Sequence, residues 1–330
     1  MKILVIGGAG YIGSSVVYSL KQKGYDLTVF DNLSLGHKQA LSSDTKLIVG
    51  DLNNYSEIKN ALESEKIDTV MHFAAFSLVG ESVQNPIKYY QNNVANTINL
   101  FKAMEDVGVK NFVFSSTAAV FGNPIETPIT EFHPVSPINP YGLSKSMVEF
   151  VLKDLAEKGK INYVSLRYFN AAGAVPDGSI GEAHTNETHL IPLVLKSILH
   201  KDSGFKLKVF GTDYETPDGT CLRDYIHVSD LAEAHILAVD HLVKGGESEV
   251  FNLGTGKGFS VLDIIKAAEK VTGQKISYET AERREGDPPV LVASSEKITN
   301  ALGWKPKFPE IESIIETAWN WHKNNPNGYK

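Results

Sequence analysis

The chain has 330 residues, 42% of them hydrophobic and 22% charged, with a formal net charge of −7. A chain of that length buries a core without staples and suggests two domains, and a lone cysteine, Cys221, excludes an internal disulfide and favours a reducing compartment. The acidic balance argues against nucleic-acid binding, and the longest apolar runs fall short of the roughly 18–20 residues a bilayer-spanning helix needs.

The opening stretch, MKILVIGGAGYIG, has a short apolar run, but glycines interrupt any signal-like segment and no small-residue cleavage site follows. It reads as mature structure in the cytoplasm. Lys2–Ile6, Leu27–Phe30, Leu47–Val49, Thr69–Phe73, Asn111–Phe114 and Asn162–Arg167 are short, β-branched-rich and bounded by turn signals, as buried strands are. Helix-like segments lie between them at Tyr11–Lys23, Tyr55–Leu62, Val83–Val107 and Pro140–Lys158. This alternation predicts an α/β fold with a Rossmann-type, doubly wound parallel sheet covered by helices on both faces. The second half is less regular, with helices expected at about 189–200, 230–243, 261–272 and 311–324 and a strand at Glu249–Asn252. A cofactor domain over 1–172, with parts of 225–256 returning to it, and a smaller α/β lobe from 173–224 and 257–330 are expected.

Gly7, Gly10 and Gly13 follow the first strand and open the first helix. Glycine is needed there because a Cβ blocks both the tight turn and the approach of backbone N–H groups to a pyrophosphate, which the helix N-terminus also attracts. Asp31 ends the second strand, where an acid accepts from the adenosine ribose hydroxyls. A 2′-phosphate would meet like charge, so NAD is favoured over NADP. Asp51, ending the third strand, is placed for the adenine rim or as a cap for the helix that follows.

Tyr141 and Lys145 lie four residues apart in YGLSK, on one face of a helix. An ammonium beside a phenol favours the phenolate and makes it a usable proton acceptor. Ser115, Ser116 and Thr117 end the fifth strand at the edge of the same crevice, where a hydroxyl can hold a sugar oxygen.

Together these motifs resemble the extended branch of the short-chain dehydrogenases/reductases. HFAAFSLVGESVQNP, YYQNNV, FSSTAAVFG, RYFNAAGA, GTDYETPDGTCLRDYIHVSDLAEAH, FNLGTG, RREGDPP and WNWHKNNPNGY extend the resemblance to the UDP-glucose 4-epimerases over essentially the whole chain. The resemblance implies a resident NAD that takes hydride from C4 of a UDP-hexose while Tyr141 takes the hydroxyl proton, Lys145 lowering its pKa and Thr117 holding the sugar oxygen. The 4-keto sugar turns over and is reduced on its other face, interconverting UDP-galactose and UDP-glucose. The resemblance also implies a homodimer built on helices of the cofactor domain.

By motif matching, Tyr11 and Ile12 lie under the NAD pyrophosphate, Asp31, Asn32, Leu33, Ser34, Leu35 and Gly36 around the adenosine ribose, and Asp51 with Leu52 at adenine. Phe73, Ala74, Ala75, Phe76, Ser77 and Asn92 line the cofactor channel, and Phe169 its nicotinamide end. On the substrate side the matches are Thr117, Tyr141, Asn170, His189 with Leu190, Lys208, Val209 and Phe210 at uracil, Arg223 and Arg284 at the diphosphate, and Glu285, Gly286 and Asp287, the last at the uridine ribose. Only four of the 32 cationic residues are arginine, and two of the four fall on that diphosphate; an Arg223–Asp224 ion pair is the structural alternative. Thr117 stands where many relatives carry Ser, and His189 where an Asn amide often meets phosphate. Leu291 matches a position whose bulk decides whether an N-acetyl group fits, which leaves UDP-GlcNAc acceptance open.

Glu182, His184, Glu187 and His189 lack the helical spacing of a common metal motif and read as a solvated or substrate-facing loop, with no metal expected. A nucleotide-sugar 4,6-dehydratase shares the fold, but its adjacent carboxylates are replaced by Ala118 and Ala119. A non-catalytic NAD sensor is the alternative of a different class; Tyr141, Lys145 and Thr117 together speak against it.

Overall fold

A computed structural model describes residues 1–201, 204–284 and 288–329. Seven parallel strands form the main sheet: β1 (Lys2–Ile6), β2 (Asp26–Asp31), β3 (Leu47–Val49), β4 (Thr69–His72), β5 (Asn111–Thr117), β6 (Asn162–Tyr168) and, last in the chain, Glu249–Leu253. Their spatial order is Glu249–Leu253, β6, β5, β4, β1, β2, β3. The order reverses between β1 and β4, so the carboxyl ends of those strands open the crevice in which doubly wound folds bind ligands.

The two-residue period of β1 divides its side chains between two cores. Ile3 and Val5 face Val16, Val17 and Leu20 of the helix Tyr11–Gln22, together with Leu231, Ala234 and Ala238 of the helix Val228–Val243. Leu4 and Ile6 face the other way, toward Ile58, Leu100, Met104, Val148 and Leu152. A third core joins the helices Leu190–Leu199, Val261–Thr272 and Ile311–Asn324 through Val194, Leu195, Ile264, Ile265, Ile314 and Ile315. Trp304 and Trp321 are buried, and Trp319 packs at the edge of the third core. No helix among the described residues is long and apolar enough to cross a membrane.

The helix expected over Val83–Val107 is broken. Val79–Gln84 stops at Asn85, Pro86 starts a one-turn helix to Tyr89, a widened π turn occupies Tyr90–Ala95, and a regular helix runs over Asn96–Val107. Proline favours the first helical position because its missing N–H has no partner to lose there. The π turn places the buried Asn93 so that its side chain accepts from the Phe76 N–H (2.9 Å) and donates to the Phe76 carbonyl (3.0 Å) and to Ser144 Oγ (3.0 Å). Three small sheets join elements of the second half: Leu207–Phe210 with Tyr278–Ala281, Asn170–Ala172 with Tyr225–His227, and Leu222–Arg223 between Phe259–Ser260 and Val290–Leu291.

Candidate active site

The glycine loop is held by contacts that tolerate no side chain at two of its positions. Gly7 has φ +75°, and a Cβ there meets the Ala74 backbone nitrogen at 2.5 Å; a Cβ on Gly13 meets the Gly7 carbonyl oxygen at 2.2 Å. Gly10 differs, since its Cβ would approach only the Gly7 oxygen, at 3.4 Å. It caps the helix Tyr11–Gln22 without any side-chain hydrogen bond. The first N–H groups of that helix therefore keep their donor capacity for an anion, in a cradle that a side chain at Gly10 would fill. This fits a dinucleotide pyrophosphate over Tyr11 and Ile12.

Asp31 ties the loop to the end of β2. Its carboxylate accepts from the backbone N–H groups of Ala9 (2.9 Å) and Leu33 (2.8 Å). Leu33 holds a left-handed φ of +59° that turns the chain toward Ser34, the exposed Leu35 and Gly36. Asp51 accepts from the Asn32 side-chain amide at 2.8 Å and from the Asn53 N–H at 2.9 Å. It does not cap the next helix: Asn54 does, accepting from Ser56 and Glu57, because the helix starts one residue later at Tyr55. Leu52 is buried beside the cores under β2 and β4. Phe73 continues from β4 with its N–H on the Ile6 carbonyl, Ala74 backs onto Gly7, and Ala75, Phe76 and Ser77 lead on to the π turn carrying Asn92. Asn92 donates to Asn93 Oδ1 at 2.9 Å.

The helix Pro140–Glu157 begins at Asn139, whose side chain accepts from the Gly142 N–H, with Pro140 at the first helical position. Its spacing lines up Tyr141, Lys145 and Glu149 against β5 and β6. Lys145 is buried, and its Nζ donates to the Ser115 carbonyl at 2.7 Å. Burial outweighs the neighbouring Glu149 carboxylate and lowers its pKa to about 7. Burial also raises the Tyr141 pKa, while a hydrogen bond with Thr117 pulls it back. Thr117 Oγ1 also accepts from the Ala119 N–H at 3.1 Å. Glu149 is fixed by Arg167 in a bidentate pair (2.6 Å at the shortest) and by the hydroxyls of Ser116 and Ser165, both at 2.7 Å.

The expected substrate residues stand on several elements. Asn170 opens the strand after β6 and gives its N–H to the Asp224 carbonyl at 3.0 Å. Phe169 and Leu291 pack on Ala118, Val120 and Phe121, the turn that directly follows Thr117. Arg223 Nη1 donates to the carbonyls of Leu222 and Pro288, both at 2.9 Å. The alternative Arg223–Asp224 ion pair is not the arrangement found: the Asp224 carboxylate receives the N–H groups of Thr255, Gly256 and Ala293. Lys208, Val209 and Phe210 form an edge strand with Lys208 outward and Val209 buried, and the Arg284 guanidinium lies 4.9 Å from the Phe210 ring centre. Glu285, Gly286 and Asp287 lie outside the described residues. His189 caps the helix Leu190–Leu199, whose Leu190 packs on the third core.

Four side chains of the loop expected to be solvated or substrate-facing are brought together before that helix, with both histidines still partly exposed. Glu182 and Glu187 have side chains only 4% exposed. His189 Nδ1 lies 2.8 Å from Glu182 and 3.0 Å from Glu187, and His184 Nδ1 lies 3.2 and 3.5 Å from the same two carboxylates. Burial opposes both imidazolium charges, but the paired carboxylates win and push His184 up to about 9 and His189 up to about 10.

Sequence reasoning missed other participants. The Tyr168 hydroxyl bonds Ser115 Oγ from the end of β6, and its phenol is pushed up by burial and by nearby Tyr141. It stands in the quoted RYFN beside two residues that were singled out. Asn93 gives no local signal of its contacts with Phe76 and Ser144, 17 and 51 residues away, nor Asp224 of its contacts with Thr255 and Ala293.

Residues 3–254 match the model of the NAD dependent epimerase/dehydratase family. The chain is 52% identical over 330 residues to a UDP-glucose 4-epimerase of Lactobacillus helveticus, covering 100% of this chain and 99% of that one. It superposes on a crystal structure of UDP-glucose 4-epimerase with a TM-score of 0.97 at 48% identity, covering all of both chains. The UDP-glucose 4-epimerase of Bifidobacterium longum, crystallised with NAD+ and UDP, superposes with a TM-score of 0.94 at 39% identity, again over all of both chains. Strand order, glycine loop and full-length identity agree, and the chain belongs to the NAD dependent epimerase/dehydratase family.

Proposed function

We propose that this chain is a UDP-glucose 4-epimerase, interconverting UDP-galactose and UDP-glucose through a transient 4-keto sugar, with NAD as its resident cofactor. The observation that carries this reading is Tyr141 facing Thr117 at the crevice beside the glycine loop, with Lys145 one helical turn on and bound to the Ser115 carbonyl. When bound, NAD supplies a reversible hydride acceptor, which no side chain provides. Gly7, Gly10, Gly13, Tyr11 and Ile12 hold its pyrophosphate, Asp31 to Gly36 the adenosine ribose, Asp51 and Leu52 the adenine, and Phe73 to Ser77, Asn92 and Phe169 the channel toward the nicotinamide.

Tyr141 accepts the proton of the sugar 4-hydroxyl at its phenolic oxygen and later returns it. Thr117 orients that hydroxyl and stabilises the phenolate by the same hydrogen bond. Lys145, positioned by the Ser115 carbonyl, supplies an amine N–H donor at the inner wall. Phe210, Arg223, Arg284 and Asp287 grip the UDP moiety, leaving the hexose free to turn over. The burial of Thr117 and Lys145 supports proton transfer to a protein group rather than to water.

The test is incubation of the NAD-loaded protein with UDP-galactose and separation of the C4 epimers. UDP-glucose should accumulate to equilibrium; NAD binding with no turnover of any UDP-hexose refutes the assignment and favours the sensor alternative. Leu291, beside Phe169 and Ala118, supports a second arm with UDP-GlcNAc, since its bulk bears on the space left for a C2 substituent.

The exposed apolar side chains Ile98, Met147 and Phe150 on the helices Asn96–Val107 and Pro140–Glu157 support a homodimer through the cofactor domain. That domain is assigned to 1–172 with the returning segment 225–256, and the lobe to 173–224 and 257–330, a division supported by a third core drawn mostly from the lobe. The single cysteine supports a cytoplasmic setting.

A further inference from the structure

We propose that Glu182, His184, Glu187 and His189 form a four-coordinate site for a divalent metal ion of the zinc class, which pins the loop leading into the helix Leu190–Leu199. The four residues come as two Glu-x-His pairs, Glu182 with His184 and Glu187 with His189, separated by a short turn. No helix supplies the spacing; the loop does, by folding the two pairs face to face. One donor atom from each residue lies within 4.8 Å of all the others.

The distances suit a tetrahedral ion. Bonds of about 2.0–2.1 Å to nitrogen and oxygen set neighbouring donors roughly 3.3 Å apart. The imidazole nitrogens lie 2.8 and 3.2 Å from Glu182 Oε1, while Glu187 meets His189 through Oε1 at 3.0 Å and His184 through Oε2 at 3.5 Å, so either of its oxygens can serve as donor, and both histidines direct Nδ1 inward.

A closed set of ion pairs leaves part of this arrangement unexplained. Glu187 is 96% buried at its side chain, yet its Oε2 makes no hydrogen bond and meets only His184 Nδ1, at an ion-pair distance of 3.5 Å; that nitrogen is buried and makes no hydrogen bond either. Orphaned buried polar atoms are costly, and both belong to the inner face of the cluster. A central cation gives each of them a partner. It also keeps the charge balance: two carboxylates need two positive charges, and a divalent ion replaces the two imidazole protons that leave on binding.

The donor chemistry selects the ion. Two imidazole nitrogens disfavour Mg2+ and Ca2+, which prefer oxygen donors in six or more positions, whereas a compact N2O2 set suits Zn2+. Four protein donors close the coordination sphere, so the site is structural. Its position gives that role a consequence. Tyr11, on the helix after the glycine loop, packs its ring edge-on to His184 at 6.3 Å and donates its hydroxyl to the Gly173 carbonyl at 2.6 Å. The ion thereby stiffens the contact between the loop and the glycine-loop helix.

The test uses the full-length, NAD-loaded protein, freed of metal by dialysis against a chelator and titrated with Zn2+, Mn2+ and Mg2+ separately. Expected are one tightly retained Zn2+ per chain by elemental analysis and a thermal midpoint raised by several degrees with Zn2+ and not with Mg2+. Co2+ in its place should give the strong visible bands of a tetrahedral complex. Glu187→Gln and His184→Asn should each weaken Zn2+ binding at least tenfold. No stoichiometric zinc in the unmutated protein, equal stabilisation by Mg2+, or undiminished zinc binding by both variants would overturn the proposal. Because the first measurement needs no variant, a misfolded mutant does not blunt it.

Discussion

Lys145 Nζ donates to the main-chain carbonyl of Ser115 at 2.7 Å, so the amine of the Tyr-x-x-x-Lys pair is anchored to the end of β5 rather than to the phenol four residues before it. The same helix face then reaches Glu149, which Ser116, Ser165 and Arg167 fix from β5 and β6. Tyr141 is thus aimed by a rail of polar contacts beneath it, while its own pKa answers to burial and to Thr117. Positioning and proton affinity are set by different neighbours.

Replacing Tyr141 by Phe separates the two roles. The ring still fills its place, so the variant should fold and retain NAD. Without the phenolic oxygen there is no acceptor for the 4-hydroxyl proton, and turnover should fall by about 10²–10⁴-fold, the usual contribution of a positioned acid–base group. Coupled assay of UDP-galactose conversion measures it; turnover like that of the unmutated protein excludes Tyr141 as the base.

Lys145 should leave a signature in stability as a function of pH. Its pKa is about 7 in the folded protein against 10.5 in its ordinary state. Between these values the unfolded chain binds the proton and the folded one does not, so this group's contribution to stability rises with pH. From pH 7 to 9 the gain is about 2 kcal/mol. Lys145→Met lacks it. Relative to the unmutated apoprotein, the variant should lose about that much between pH 7 and 9 in urea unfolding. Comparing the two proteins cancels the opposite slope from His184 and His189, whose raised pKa values make their contribution fall over the same range. A pH-independent difference between the two proteins would show that Lys145 does not titrate there.

Much of this arrangement is legible in the residues themselves. β1 reads cleanly because Lys2–Ile6 is a short apolar run closed by glycines, and Tyr141 with Lys145 because a helix enforces the four-residue spacing. The π turn at Tyr90–Ala95 is not legible, since its cause is Asn93 reaching Phe76 and Ser144, 17 and 51 residues away. Strands of two or three residues such as Leu222–Arg223 carry no periodicity to detect. The Glu-x-His pairs are visible in the sequence, but helical spacing does not reveal that they meet, because a loop assembles them.

Arg284 tests the diphosphate assignment. Its guanidinium lies 4.9 Å from the Phe210 ring centre, which orients a planar fork beside the expected uracil pocket. Hydrogen bonds to charged groups contribute about 1.5–3 kcal/mol. Arg284→Ala should therefore weaken UDP binding by roughly 10–100-fold in calorimetry of the NAD-loaded protein, with the thermal midpoint little changed. Unaltered UDP affinity would remove Arg284 from the site.

Two glycines of one loop should fail in different ways. A methyl group on Gly13 meets the Gly7 carbonyl oxygen at 2.2 Å, and the loop has nowhere to retreat because Gly7 is itself pressed against Ala74. Gly13→Ala should lower the stability of the apoprotein by more than about 1–3 kcal/mol, the usual cost of overpacking. Gly10 has a φ of −75° that alanine adopts freely, and its added methyl group touches only the Gly7 oxygen, at 3.4 Å. Gly10→Ala should fold with near-normal stability and still lose NAD, since the space it fills is the one a pyrophosphate needs above the helix N-terminus. Urea unfolding of both apoproteins, alongside the NAD content of each as purified, separates the outcomes. A Gly10→Ala protein that keeps its NAD would move the pyrophosphate away from this cradle.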